Sequence, residues 1–408
     1  MSSRQSALRI ARLAARYPCR RTLATTAARS AEQVRIVEVG PRDGLQNEKK
    51  AIELETKIEF IKRLAQTGLR TIEAGSFVSP KWVPQMANSS NILEHILQQP
   101  PQAPEPINYQ FLLPNSYGLG NFLKVYKHYE GSAQPAADTG YPTPPPSPSP
   151  SDNGPALNTS SQDPNAMPSA TDPTAAMSQP VNSSSSPSSS SKSALPEIEL
   201  SIFTAATETF SQKNTNCSIA ESLERFKPIF GAGKEYRLRV RAYISVALGC
   251  PFEGPDVDPH KVAELAVSLL EMGAHEISVA DTTGMGTAPK TQELLKTLKA
   301  AGVDAGDLAL HFHDTYGMAL VNTVVGLDHG IRTFDASVAG LGGCPYSPGA
   351  TGNVGSEDMV HLCHSLGLKT GVDIEKLSRV GEWIAGEVGK ANESRAGKAT
   401  LARLKREL

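Results

Sequence analysis

The chain has 408 residues, of which 39% are hydrophobic, enough for a large buried core, while 33 glycines and 30 prolines indicate much irregular sequence. Its five cysteines include no C-x-x-C pair, which argues against a zinc ribbon or a dithiol redox motif, and a disulfide framework is not expected at this size. The net charge of -2 hides an asymmetry: residues 1–31 carry seven arginines and no acid, so the remainder carries about -9 and lacks the basic character of a nucleic-acid-binding protein.

Residues 1–31 alternate arginine with alanine, leucine, serine and threonine, a pattern that forms a basic amphipathic helix. Arg-rich, acid-free N-termini of this kind are typical of mitochondrial transit peptides. We therefore expect a targeting segment over residues 1–31 and the mitochondrial matrix as the compartment, with a disordered basic tail as the alternative. No apolar run of about 18 residues occurs, so no membrane-spanning segment is expected.

Strand-like segments followed by helical patterns then recur along the chain. The first three predicted strands cover residues 34–40, 71–74 and 107–114, and their helices cover residues 54–66, 84–97 and 119–129. Five further strands are predicted at 198–203, 239–246, 276–281, 308–314 and 333–338. The helices that accompany and follow them are predicted at 219–230, 259–272, 290–301, 316–327, 357–366 and 374–390.

Eight successive βα units predict one α/β domain, a closed (β/α)8 TIM barrel with extra C-terminal helices, over residues 32–408. The chemistry of such a barrel lies at the C-terminal ends of its strands. An open doubly wound sheet is the alternative, but the glycine-rich phosphate fingerprint expected after its first strand is missing.

Residues 132–193 interrupt the series, because 30 of these 62 residues are serine or proline, one is aromatic and five are charged. Such a segment cannot bury enough apolar area to offset its ordering entropy, so we predict that it is disordered. It follows a predicted helix and precedes a predicted strand. We therefore expect an enlarged αβ loop inside one domain, since three βα units alone would not form a stable fold.

Two histidines end the seventh predicted strand. His311 and His313 are two residues apart, so their side chains face the same side of a strand. The pair alone fits a metal site and a pair of hydrogen-bonded structural histidines equally well.

In a barrel the strand ends meet at one rim, and other polar residues join the histidines there. They are Arg42, Asp43, Glu73, Asp281, Cys344 and Asn353. Each alone has a structural interpretation, such as a helix cap or a turn, but their joint position favours a functional site. A carboxylate, two imidazoles and an amide oxygen would form a mixed N/O metal site with open positions, and these ligand types leave Zn, Mn, Fe and Mg open.

Cys344 lies in a glycine-rich segment, residues 339–345, that follows the eighth strand. Glycines permit loop movement, so the thiol could close over a bound substrate as a proton donor or acceptor. The alternative is a small buried hydrophobic residue, the usual environment of a free cysteine.

Three segments carry a family resemblance. Residues 39–48 read VGPRDGLQNE, residues 76–86 read SFVSPKWVPQM, and residues 337–346 read SVAGLGGCPY. They resemble the hydroxymethylglutaryl-CoA lyases of the mitochondrial type, and the resemblance extends over residues 34–384 apart from the Ser/Pro-rich insert. It implies the cleavage of 3-hydroxy-3-methylglutaryl-CoA to acetyl-CoA and acetoacetate, a step of leucine degradation, on a barrel that requires Mg²⁺ or Mn²⁺.

Carried over position by position, the resemblance implies individual roles. The implied metal ligands are Asp43, His311, His313 and Asn353. The implied catalytic residues are Arg42, which also binds substrate, Glu73, Asp281, His311 and Cys344. A base would remove the proton of the tertiary hydroxyl, the C2–C3 bond would break, and Arg42 and the metal would stabilise the thioester enolate, which Cys344 would protonate directly or by relay.

Two alternatives remain at this point. Acyl-CoA-condensing synthases share the barrel and the H-x-H pair, but a different loop is expected after their eighth strand. A degenerate barrel that acts as an interaction scaffold is disfavoured, because every polar group of the site is retained. The expected partner is a small acyl-CoA substrate, without nucleic acid or membrane, and a homo-oligomer is compatible with the sequence.

Overall fold

The structure, a computed structural model, describes residues 33–130, 196–343 and 352–407. Eight parallel strands form a closed barrel in which each strand pairs with the next along the chain and β8 pairs with β1. The strands are β1 Arg35–Glu38, β2 Thr71–Ser76, β3 Asn108–Leu112, β4 Glu197–Ala205, β5 Arg239–Ser245, β6 Glu276–Asp281, β7 Leu308–Phe312 and β8 Thr333–Ala336. The predicted (β/α)8 barrel is confirmed.

Helices surround the barrel. In the described part of the chain they are α1 Leu54–Ala65, α2 Ser89–Gln98, α3 Ser116–Glu130, α4 Glu208–Thr215, α5 Ile219–Glu235, α6 Pro259–Met272, α7 Ala288–Ala300, α8 Ala319–Asp328, α9 Ser356–Ser365, α10 Ile374–Val388 and α11 Arg395–Leu404. None of them is long and apolar enough to cross a membrane. Helices α4 and α11 were not predicted from the sequence. The predictions for residues 1–31, residues 132–193 and Cys344 fall outside the described residues.

Local sequence signals set several helix boundaries. Helix α5 begins with a capping box, in which Ser218 accepts from the amide of Glu221 and the Glu221 side chain accepts from the amide of Ser218. Helix α6 begins with the cap Asp258 followed by a proline and ends at Gly273, which adopts a left-handed conformation. These signals explain why the predicted bounds of α6 match the observed ones.

The strands are buried on both faces, as expected when helices cover the outside of a barrel and side chains fill its lumen. Aromatic residues of β3 and α3 pack between the barrel and the surrounding helices; for example, the ring centroids of Phe111 and Phe122 lie 6.3 Å apart. The lumen itself is unusually polar, because Arg241, Ser278 and Asp335 are all fully buried.

A set of paired charges occupies the lumen below the strand ends. Arg241 donates to Glu276 Oε2 at 2.6 Å and to Asp335 Oδ1 at 2.7 Å, and Arg35 forms a second ion pair with Glu276. We call Arg35, Arg241, Glu276 and Asp335 the lower cluster. Each of its charges has an opposite charge in contact, which makes burial of the group tolerable.

Candidate active site and metal centre

A compact π-helical turn, Gly40–Gly44, follows β1 and carries Arg42 and Asp43. The amides of Arg42, Asp43 and Gly44 donate to the carbonyl oxygen of Val39 at 3.1, 2.8 and 3.1 Å. The turn presents both charged side chains at the C-terminal end of the barrel. The sequence predicted a turn at this place but not its π-helical form.

Arg42 connects the ends of β1 and β2. Its guanidinium donates to Glu73 Oε2 at 2.6 Å and to Asp43 Oδ1 at 2.6 Å, while the Ser201 hydroxyl donates to Glu73 Oε1 at 3.0 Å. Burial raises the pKa of Glu73, and the charge of Arg42 opposes this shift. Three of the predicted site residues are therefore in direct contact.

His311 and His313 lie at the end of β7 with their ring centroids 5.3 Å apart. Residues 352–356 run beside this end: His313 forms a backbone bridge with Asn353, and the amide of Val354 donates to the carbonyl of Phe312 at 3.1 Å. This crossing brings Asn353, from the loop after β8, to the two histidines.

The side chains of this corner bring several metal-ligand atoms close together. One ligand atom from each of Asp43, His311 and His313 lies within 4.8 Å of the other two. Asn353 Nδ2 donates to Asp43 Oδ2 at 2.8 Å and to the Leu341 carbonyl at 3.0 Å. Asn353 Oδ1 and His313 Nδ1 are buried and have no hydrogen-bond partner among the described residues. A carboxylate, two imidazoles and a free amide oxygen fit a divalent cation.

Electrostatics hold these groups in metal-binding forms. Burial opposes ionisation of Asp43, but Arg42, His311 and His313 outweigh it and lower the pKa of the Asp43 carboxyl. Burial, helped by the neighbouring His311, lowers the pKa of His313 to about 4. At neutral pH the carboxylate is therefore ionised and the His313 imidazole neutral, which are the forms that bind metal.

Asp281 ends β6 beside this corner. The amide of Gly286 donates to its Oδ2 at 2.9 Å, while its Oδ1 is buried without a hydrogen-bond partner among the described residues. Burial raises the pKa of Asp281 to about 6. A carboxylate with one free oxygen and a pKa near neutrality is suited to accept and return a proton.

Asp335 orients His311 and was not predicted as a site residue. Its Oδ2 lies 3.2 Å from His311 Nδ1 and accepts from the Ser278 hydroxyl at 2.7 Å. A proton on Nδ1 directed at this carboxylate leaves the lone pair of Nε2 facing Asp43 Oδ2, 4.0 Å away. The available signal was a charged residue inside the otherwise uncharged strand β8.

Cys344 lies outside the described residues, but the segment that leads to it contacts the site. Asn47 donates to the carbonyl oxygen of Gly343 at 2.5 Å. Gly342 has a φ of +122°, and a Cβ atom there would lie 2.5 Å from Asn353 Nδ2. Only glycine fits at position 342, because a side chain would displace Asn353.

Comparison with known proteins gives consistent matches. The profile of the family described as HMGL-like matches residues 33–110 and 192–384. The chain is 42% identical over 372 residues to the 3-hydroxy-3-isohexenylglutaryl-CoA/hydroxy-methylglutaryl-CoA lyase of Pseudomonas aeruginosa, covering 91% of this chain and 98% of that protein. It is 39% identical over 369 residues to the mitochondrial hydroxymethylglutaryl-CoA lyase of Rattus norvegicus, covering 90% of each. Relatives of similar identity are named as cytoplasmic.

Solved structures agree. The crystal structure of hydroxymethylglutaryl-CoA lyase from Pseudomonas aeruginosa superposes with a TM-score of 0.70 at 41% identity, over 91% of this chain and 98% of that one. An HMG-CoA lyase from Acinetobacter baumannii, in complex with coenzyme A and 3-methylmalate, superposes with a TM-score of 0.68 at 26% identity, over 90% of this chain and 95% of that one.

Proposed function

This chain belongs to the HMGL-like family and cleaves 3-hydroxy-3-methylglutaryl-CoA to acetyl-CoA and acetoacetate, and from that premise we propose a role for each residue of its rim. The observation that carries the proposal is the meeting of Asp43, His311 and His313 within 4.8 Å, next to the unpaired amide oxygen of Asn353. These four residues are the proposed metal ligands.

The family is metal-dependent, and we propose Mg²⁺ or Mn²⁺ because two of the four ligands are oxygen donors. When bound, such an ion polarises substrate oxygens and stabilises negative charge that develops on them. Asp335 holds the His311 ring in the orientation that this ligand set needs, since it accepts from Nδ1. The hydrogen bond from Asn353 to Asp43 holds the Asn353 side chain at this corner of the rim.

The acid-base roles follow from the same geometry. Asp281, with its free Oδ1 and raised pKa, is the proposed base for the tertiary hydroxyl, and His311 is the residue that passes the proton on. Arg42 is held by Glu73 and Asp43, and its guanidinium is the proposed cation for the enolate oxygen. Cys344 is the proposed proton donor to the acetyl-CoA carbanion.

We also propose the mitochondrial matrix as the compartment, with residues 1–31 as the transit peptide. The basic, acid-free composition of that segment and the mitochondrial relative from Rattus norvegicus support this. Residues 132–193 fall between the end of α3 and the start of β4, which supports an insertion in one αβ connection of a single domain.

The direct test is incubation of the protein with 3-hydroxy-3-methylglutaryl-CoA and Mg²⁺ or Mn²⁺. We expect acetoacetate and acetyl-CoA in equal amounts, and loss of both products when a chelator removes the ion. A protein that formed no acetoacetate but condensed acetyl-CoA with a 2-oxo acid would instead be a synthase, and that result would overturn the proposal.

A further inference from the structure

Tyr243 is a large polar residue of the barrel lumen that no role above uses. Tyr243 follows Arg241 by two residues on β5, so both side chains point into the lumen. Val240 lies on the opposite face of the strand and packs against Gly233 of α5. Because Tyr243 is closer to the C-terminal end of the strand, its side chain occupies the layer between the lower cluster and the rim.

The ring of Tyr243 contacts Arg42 and His311 of the rim and Arg241 of the lower cluster. The guanidinium carbon of Arg42 lies 5.4 Å from the ring centroid, and that of Arg241 lies 4.8 Å from it. The ring of His311 approaches edge to face at a centroid distance of 6.2 Å. The ring therefore packs against two guanidinium groups and one imidazole.

The hydroxyl itself is unsatisfied. Tyr243 is 4% exposed, and its oxygen is buried without a hydrogen-bond partner among the described residues. Burial and the nearby Glu73 carboxylate raise the pKa of the phenol well above its ordinary value, so it keeps its proton at neutral pH. A buried O–H with no protein acceptor costs stability, and this cost is recovered when a ligand accepts the hydrogen bond.

We infer that the Tyr243 hydroxyl donates a hydrogen bond to the substrate oxygen that gains negative charge when the C2–C3 bond breaks, and so acts together with Arg42. The donor keeps its proton throughout, and the bond strengthens as charge builds on the acceptor. The inference rests on the proposed function and adds a catalytic residue to it. It accounts for a polar side chain between two arginines where a phenylalanine would pack equally well.

Tyr109 supplies a matched control. It also has a buried, unpartnered hydroxyl, and its exposure is 2%. Its neighbours Asn108 and Gln110 both point into the lumen to donate to Glu199, so the Tyr109 ring points outward, away from the site. Replacing either tyrosine by phenylalanine removes one buried, unpaired hydroxyl, but of the two rings only that of Tyr243 contacts Arg42 and His311.

The experiment compares Tyr243→Phe, Tyr109→Phe and the wild type for kcat and KM with 3-hydroxy-3-methylglutaryl-CoA and for thermal unfolding. We expect Tyr243→Phe to lower kcat by about 10²-fold, the usual effect of removing one donor to a developing oxyanion, with KM within about threefold. Neither variant should melt at a lower temperature, since each loses an unpaired group, and Tyr109→Phe should keep its kcat.

Three results would overturn the inference. The first is an unchanged kcat in Tyr243→Phe, and the second is a raised KM with unchanged kcat, which would mean ground-state binding only. The third is a lowered melting temperature together with the lowered kcat, which would indicate a structural hydroxyl. A wild-type protein that formed no acetoacetate would overturn the proposed function as well, so the two failures are distinguishable.

Discussion

Two buried arginines of this barrel each bind two carboxylates. Arg42 contacts Asp43 and Glu73 at the rim, and Arg241 contacts Glu276 and Asp335 in the lower cluster. The hydrogen bonds of the two arginines are similar in length. The surroundings differ in whether the remaining charges and lone pairs have partners.

In the lower cluster the charges balance, because Arg35 and Arg241 face Glu276 and Asp335. Burial opposes ionisation of Asp335, but Arg241 and His311 outweigh it and hold the pKa of Asp335 well below its ordinary range. Such a closed set of ion pairs leaves nothing for a ligand to bind, and we interpret it as a structural support for the barrel.

At the rim the charges do not balance. Among the predicted site residues that the structure describes, Arg42 is the one arginine and forms ion pairs with Asp43 and Glu73, while Asp281 adds a third carboxyl group. His313, whose pKa is lowered to about 4, adds no charge at neutral pH. Buried polar atoms are normally paired, so an excess of anionic and lone-pair groups indicates a site that receives a cation and a substrate. The comparison therefore separates structural from functional polar residues by their partners rather than by their type.

The largest effect should come from breaking the ligand set. Asp43→Ala and His313→Ala each remove a proposed ligand, and metal ions supply several kcal/mol of transition-state stabilisation, so we expect kcat to fall by at least roughly 10³-fold. The fold should persist, as judged by circular dichroism. Asp328→Ala, which removes an exposed carboxylate at the end of α8, should leave kcat unchanged. Full activity in either ligand variant would remove the metal assignment.

Cys344→Ser tests the proposed role of Cys344 as a proton donor. A hydroxyl is far less acidic than a thiol with a reference pKa of about 8.5, so we expect kcat to fall by roughly 10²- to 10⁴-fold with little change in substrate affinity. The control is Cys363→Ser, because Cys363 is fully buried in α9; that variant should lose stability and keep its kcat. If Cys344→Ser behaved like the control, Cys344 would be a packing residue.

Arg241→Met removes the central cation of the lower cluster and should lower the free energy of unfolding. It leaves Glu276 and Asp335 buried without their shared cation, which costs about 3–5 kcal/mol when one partner of a buried pair is removed. Urea unfolding measures the loss. Arg379→Met, an exposed position on α10, should unfold at the wild-type urea concentration. A fully stable Arg241→Met protein would show that the lower cluster does not support the fold.

A smaller effect concerns two buried carboxyls that accept hydrogen bonds only from neutral donors among the described residues. Glu38 accepts from the amides of Gly40 and Val338, and Glu357 accepts from the amide of Ala339. Burial raises the pKa of Glu38 to about 7 and that of Glu357 to about 8. Without a cation in contact, both carboxyls favour the protonated form in the folded protein.

The sign of the pH dependence follows from these shifts. Because the folded-state pKa of Glu357 lies above its unfolded value of 4.5, the folded protein binds more protons, and its stability falls as pH rises from 4.5 to about 8. Glu357→Gln mimics the protonated form and should reduce that fall by on the order of a few kcal/mol. Urea unfolding at pH 5 and pH 8.5 measures it, and identical pH slopes in wild type and variant would contradict the assignment.

Much of the fold could be predicted because the local sequence signals and the spacing of apolar residues indicate the same helices and strands. The predicted bounds of α6 and β6 match the structure, since a cap, a proline and a glycine mark the helix and an apolar run marks the strand. Helix α4 was missed because it buries only Phe210 and Ser211 and so lacks a clear apolar period. The fold class was recoverable from the count of βα units alone.

The site was only partly predictable. The rule that chemistry lies at strand ends places Arg42, Asp43 and the histidines together. The contact of Asn353 depends on residues 352–356 crossing to β7, a tertiary feature without a sequence signal. Arg241 and Asp335 lie inside strands, where alternation alone would suggest solvent-exposed positions. Only the closed lumen makes these residues partners.

The most direct test of the unbalanced rim is a calorimetric titration of Mn²⁺ into the metal-free protein, with His313→Ala and Arg379→Met titrated in parallel. We predict one ion bound per chain in the wild type and in Arg379→Met, and no saturable binding in His313→Ala, because the variant lacks one imidazole of the proposed ligand set. Equal Mn²⁺ affinity in wild type and His313→Ala, or no binding in the wild type, would contradict the proposal that the rim binds a divalent cation.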